Sequence, residues 1–166
     1  MNEEKKWFVF YTKSRQEKKV TEILARRGFD VFLPLVKVLR QWSDRKKKVE
    51  VPLFNSYLFV NTVEHRLQEV LSVPGIAWTI RHNGKPAILR EKEYQLIKRL
   101  LDTGLTIDVV PLADVAPGDW VEVMDGPLKR AVGQVLAKNP GRFMVLLEAI
   151  GQVMRVEIDP GLLKKI

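Results

Sequence analysis

Two rhythms of apolar and polar positions run along this chain, and each change of rhythm marks an element. "KWFVFYT" (Lys6 to Thr12) is aromatic and β-branched throughout, which predicts a strand. "SRQE" from Ser14 reads as a capping box, with Ser14 capping a helix and Glu17 reaching back to its start. Val20, Ile23 and Leu24 then recur at helical spacing and Gly28 supplies a stop, predicting an amphipathic helix over Arg15 to Arg27. "DVFLPLVKVLRQW" (Asp30 to Trp42) returns to an extended pattern, with Pro34 marking it as irregular or as an edge. "SDRKKKVEV" (Ser43 to Val51) predicts a basic hairpin tip or loop. Strands follow at "PLFNSYLFVNT" and "IAWTIR", split by a short helix that ends at Pro74-Gly75. After a turn at "HNGKP", "REKEYQLIKRLLDTG" predicts a helix with Tyr94, Ile97, Leu100 and Leu101 inward.

The period is lost at "LTIDVVPLADVAPG", so 105–112 is expected to be a linker between a first domain, 1–104, and a second, 113–166. Past Ala113 come short alternating runs divided by turn signals: "DWVEVM", "VGQVLAK", "RFMVLLEAI", "QVMRVEID". The expected class is α+β. The first domain is an α/β sandwich, its sheet mostly antiparallel and flanked by helices, and the second is a small five-stranded β-barrel.

Charge divides along the same line. Residues 1–50 hold 14 Lys or Arg against 7 Asp or Glu, whereas 113–166 hold 7 against 7. The overall +8 is therefore concentrated in the first third, where a polyanion such as nucleic acid would feel it. The neutral second domain suits a protein partner better. The chain has no cysteine, so disulfides and thiolate metal sites are excluded and a cytoplasmic setting fits. No apolar run reaches the roughly 20 residues that span a bilayer, and the N-terminal run is too short for a signal peptide's core. His65 and His82 lack ligand spacing, and "NGKP" lacks the glycine spacing of a phosphate loop. With no nucleophile, base or cofactor cluster in view, neither an enzyme nor a cofactor nor a metal is expected.

"GDWVEVMDGPLKRAVGQV" resembles a KOW motif: a strand, an Asp-Gly-Pro turn, then a glycine in the next strand. Gly126 is placed for positive φ, Pro127 to fix the turn's exit, and Gly133 for close backbone approach. "WFVFYTKSRQEKKV", "PLFNSYLFV" and "VPGIAWTIR" follow in order the pattern of the NusG N-terminal domain. The resemblance runs from Trp7 to Ile166. "PLFNSYLFV" and "GKPAIL" look closest to the specialised RfaH and UpxY-type branch. Where the family usually reads Phe-Pro-Gly-Tyr, this chain has Phe54-Asn55-Ser56-Tyr57.

The resemblance implies a transcription elongation and antitermination factor, acting on specific operons. Its N-terminal domain would bind the RNA polymerase clamp helices and suppress pausing. The polymerase patch falls on Tyr11, Tyr57 and Phe59, with Trp78 and Ile80 nearby. Alternation alone favours the core for Tyr11, Tyr57 and Phe59, since strand aromatics usually pack inward. Lys13, Arg15, Gln16 and Lys19 would meet the non-template DNA strand, and Arg45 to Lys48 upstream DNA; the plain alternative is a solvated basic face. The KOW barrel would recruit the ribosome or Rho. The resemblance carries with it a monomer, a general NusG-type factor as the within-family alternative, and a free-standing RNA-binding KOW protein as the rival outside it. In RfaH the C-terminal domain also refolds into a helical hairpin. "RFMVLLEAI" has some helical propensity, but the Gly-Pro turn and β-branched alternation favour the barrel.

Overall fold

A computed structural model describes residues 4–166. The first three residues of the stretch weighed as a leader lie outside the described part. The chain divides into two compact units, Met1–Arg90 and Glu91–Ile166.

The first unit contains β1 (Lys6–Thr12), α1 (Glu17–Arg26), β2 (Asp30–Phe32), β3 (Leu35–Gln41), β4 (Lys46–Pro52) and β5 (Tyr57–Thr62). It continues with α2 (Leu67–Leu71), β6 (Ile76–Thr79), β7 (Arg81–His82), β8 (Lys85–Pro86) and β9 (Ile88–Leu89). Its main sheet runs β2-β5-β1-β6, with β9 also on β1, and every pairing is antiparallel. Successive strand residues face opposite ways, and directly paired residues share a face. Phe8, Phe10, Leu58 and Val60 therefore point one way, where Val20 and Leu24 of α1 and Leu67 and Val70 of α2 close a core over them.

Two local expectations are corrected by the structure. The capping box does not form: α1 begins at Glu17 after Gln16, with no side-chain cap, and Arg15 is left-handed at φ 62°. Glu17 is turned inward to a different acceptor role, described below. Pro34, buried between β2 and β3, ends the first extended run, as its missing N–H requires. The basic stretch expected as a tip or loop is mostly strand. β3 and β4 form a two-stranded ribbon in full register, from Leu35↔Pro52 to Gln41↔Lys46. Val36, Val38, Val49 and Val51 share its half-buried face, while Leu39 and Trp42 stand out at 60% and 54% exposure.

The second unit opens with α3 (Glu91–Asp102), whose Ile97 and Leu100 are buried. It continues as β10 (Asp108–Pro111), β11 (Pro117–Val123), β12 (Val132–Leu136), β13 (Asn139–Leu147), β14 (Gln152–Glu157) and β15 (Leu163–Lys165). They form one antiparallel sheet of six strands, in the order β10-β14-β13-β12-β11-β15. The expected five strands become six because part of the expected linker is a strand. Asp108 to Pro111 pair with Arg155 to Gln152, and an ion pair between Asp108 and Arg155 joins the two. Two prolines and a short length hid this edge strand from the pattern. The boundary expected at residue 104 likewise moves to residue 90. Arg99 of α3 donates to the carbonyls of Pro127 (3.2 Å) and Lys129 (2.8 Å), tying the helix to the turn after β11.

Gly126 and Gly133 each occupy a position that favours glycine. Gly126 has φ +87° in the turn. A Cβ on Gly133 would lie 2.5 Å from the carbonyl oxygen of Met144 and 2.7 Å from the Phe143 ring. The fully buried Phe143 thus rests directly on the glycine.

Candidate functional site

The first unit's second sheet face is buried at one end and open at the other. Tyr57 is paired with Tyr11, and Tyr11 with Trp78, so three rings stand in one row across β5, β1 and β6. Tyr11 stacks on Trp78 at 4.7 Å with the planes 9° apart. It meets Tyr57 edge-on at 5.4 Å and 78°. Both are favourable arrangements for rings with negative faces and positive edges. The tyrosines are half-buried, and Trp78 is 55% exposed. Direct pairing with Tyr11 puts Trp78 on the open face, while Thr79, paired with Phe10, turns inward and is buried.

Phe59 does not belong to this surface. It lies on the same face as Tyr57 but two residues further in, with no exposure, packed against Phe32 (5.9 Å) and Phe54 (6.4 Å). Ile80 is half-buried just past β6, its N–H donating to Val9 O at 2.9 Å.

The row can offer both carbon surface and hydroxyls. Burial, and behind it the neighbouring Tyr11 phenol, raise the Tyr57 pKa above its ordinary 10.0. Tyr57 therefore keeps its proton in the folded chain at pH values where the unfolded chain loses it. The sign follows: this contribution is whole below pH 10 and is lost as the pH rises through the folded value. Ultraviolet titration of phenolate formation should show one tyrosine ionising late, and Tyr57→Phe should remove that step.

The end of β1 that carries Tyr11 runs straight into the basic turn. Lys13, Arg15 and Lys19 are exposed, and Gln16 is half-buried. The turn is fixed by Lys13 N–H to Gly75 O (2.8 Å) and Gln16 N–H to Lys13 O (3.1 Å). Cations and rings thus flank each other at one end of the sheet. The ribbon adds a separate cationic element, with Arg45, Lys46, Lys47 and Lys48 all exposed. His65 and His82 are exposed too.

Glu17 is the site residue that pattern reading missed. It is 5% exposed, and its carboxylate accepts from the N–H of Ser56 at 3.1 Å. Ser56 O in turn accepts from Thr12 N–H at 2.8 Å. The helix therefore holds the turn between Tyr11 and Tyr57. One carboxylate inside "SRQEKKV", surrounded by cations, was the available signal, and it was absorbed by the capping reading. Glu17→Ala should leave a part-buried N–H without its acceptor, costing about 1–3 kcal/mol. Hydrogen exchange should find the Ser56 amide faster in Glu17→Ala, with Glu17→Gln close to the parent.

Ser56 sits at φ +69°, a conformation that costs an L-residue with a side chain roughly 1–2 kcal/mol. Ser56→Gly should relieve that strain, less the extra freedom glycine gains in the unfolded chain. A net gain of about 0.5–1 kcal/mol in urea unfolding is expected.

The family described as "Transcription termination factor nusG" matches residues 5–98, more than half of the chain. The chain belongs to the NusG family. A Streptococcus pyogenes "Transcription termination/antitermination protein NusG" is 28% identical over 94% of this chain and 93% of its own length. The Rickettsia prowazekii protein of the same name is 28% identical over 99% and 92%. A solved structure of Thermotoga maritima NusG shares the fold, with a TM-score of 0.53 at 22% identity, covering 98% of this chain and 97% of that one. As a NusG-type factor of transcription termination and antitermination, the chain works by binding and is not an enzyme. Among the described residues no helix is long and apolar enough to cross a membrane.

Proposed function

We propose that the row Tyr57–Tyr11–Trp78 is the face by which this NusG-family chain grips RNA polymerase, on the clamp, suppressing pausing and termination. The observation that carries this reading is the stacked Tyr11–Trp78 pair, left half open at the end of a sheet whose Trp7, Phe8, Phe10 and Phe59 are buried. Clustered, preorganised aromatic rings are what binding hot spots are made of. Lys13, Arg15, Gln16 and Lys19 then lie beside the docked face and meet the exposed non-template DNA strand. Lys and Arg engage phosphates there, and Gln16 is suited to a base edge. Upstream DNA falls to the cationic ribbon end. The second unit, with no net charge over 113–166, recruits a protein, the ribosome or Rho, through its KOW sheet. The factor acts as a monomer in the cytoplasm and serves particular operons.

A purified transcription assay tests the core of this reading. Adding the full chain should raise readthrough at intrinsic terminators, and unchanged readthrough would count against it. A general role at every gene is the second reading, favoured by the broad match to proteins named NusG. Polymerase-linked occupancy of the tagged chain across a genome separates the two: a few long operons for the specialist, all transcribed genes for the general factor.

A further inference from the structure

The second unit carries an open indentation of about 190 Å³ beside the KOW turn. Its walls are apolar: Val123 from β11, Pro127 and Leu128 from the turn, Ile158 and Leu162 from the segment before β15, and Leu105 after α3. For scale, an apolar cavity of about 150 Å³ accepts benzene. The rim is acidic, with Asp125, Glu157 and Asp159, all exposed. Two of these carboxylates are held by their own loops. Asp125 Oδ1 accepts from Gly126 N–H and Asp159 Oδ1 from Gly161 N–H, each at 2.9 Å. Glu157 is paired with Arg142 at 2.8 Å, so the rim keeps a negative balance from the two aspartates. Arg99 fixes the turn that forms one wall, through the carbonyls of Pro127 and Lys129. The shape is thus preformed, and the charge is placed by backbone bonds rather than by free side-chain rotation.

We infer that this indentation receives one aromatic or long aliphatic side chain of a partner protein, from a segment with lysine or arginine on either side of it. Apolar walls exclude a charged anchor, and the acidic rim repels phosphate, which sets nucleic acid aside as the occupant. Cationic flanking residues complement the rim and select among apolar segments more than they add to affinity. The inference rests on the reading of the second unit as a protein-docking module, and narrows it to a place and a ligand class.

The test is a titration of the 15N-labelled full chain with two blocked peptides, Gly-Lys-Trp-Lys-Gly and Gly-Glu-Trp-Glu-Gly. The lysine peptide should shift the amides of Val123, Gly126, Leu128, Ile158 and Leu162, and should bind about five-fold or more tightly than the glutamate peptide. Leu162→Trp fills the indentation and should abolish the shifts. Asp125→Asn with Asp159→Asn keeps the backbone bonds and should erase the preference between peptides. Shifts elsewhere, no shifts, or equal affinity for the two peptides in the parent chain would overturn the inference. Polymerase affinity should not change in either variant, so failure here is separate from failure of the polymerase reading, which appears in Tyr11→Ala.

Discussion

Tyr11→Ala should weaken binding to RNA polymerase by about 30-fold, the equivalent of roughly 2 kcal/mol for a central aromatic anchor. The size follows from its position. Tyr11 touches both other members of the row, stacked on Trp78 and edge-on to Tyr57, so its loss removes one ring and releases two. Each such pair contributes about 0.5–1.5 kcal/mol beyond area, so the first unit should also lose about 1–2 kcal/mol of stability. Tyr11→Phe keeps both ring contacts and separates the effects: stability near the parent, with affinity reduced only by what the hydroxyl supplies. Binding can be followed by competition for core polymerase, with unfolding followed on the same preparations. Unchanged affinity in Tyr11→Ala would remove the row from the interface.

Gly133→Val should be the most damaging substitution in the second unit, costing about 3 kcal/mol. A Cβ at this position meets the Met144 carbonyl at 2.5 Å and the Phe143 ring at 2.7 Å. Backbone on one side and a fully buried ring on the other leave little room to adjust. Phe143 would be forced off its place over the strand, and the pairing of β12 with β13 would loosen. Denaturant unfolding should show the second unit melting early while the first unit's transition stays put. A single unshifted transition would mean that the close approach at Gly133 is not what shapes this sheet.

Much of this molecule was legible in its sequence because its strongest signals are local. The β-branched aromatic runs at β1 and β5 gave strands, the 3.6-residue spacing gave α1 and α3, and Gly126 and Gly133 announced a turn and a close approach. What stayed hidden depends on neighbours far along the chain. Tyr57 and Phe59 have the same periodicity and the same face, yet one lies at the open end of the sheet and the other beneath Phe54 and Phe32. Alternation assigns faces; it does not say how far a cover extends. Glu17 was misread for a similar reason. Its acceptor role is satisfied by Ser56, 39 residues away, and a local capping box competed with that bond on paper but not in the fold. The edge strand β10 was lost to its short length and to the proline, Pro111, that ends it. Its evidence is the ladder with β14, which no window of sequence contains.

The natural absence of cysteine makes the central claim open to a single direct measurement. Asn55→Cys places a lone thiol on the exposed turn next to Tyr57, and Glu22→Cys places one on the exposed outer side of α1. Alkylation rates of each, read by the mass of this small chain, are then compared with and without saturating RNA polymerase. The account predicts strong slowing at position 55 and little change at position 22. Slowing at position 22 with position 55 still open would contradict it, because the polymerase would then sit on the helices and not on the aromatic row.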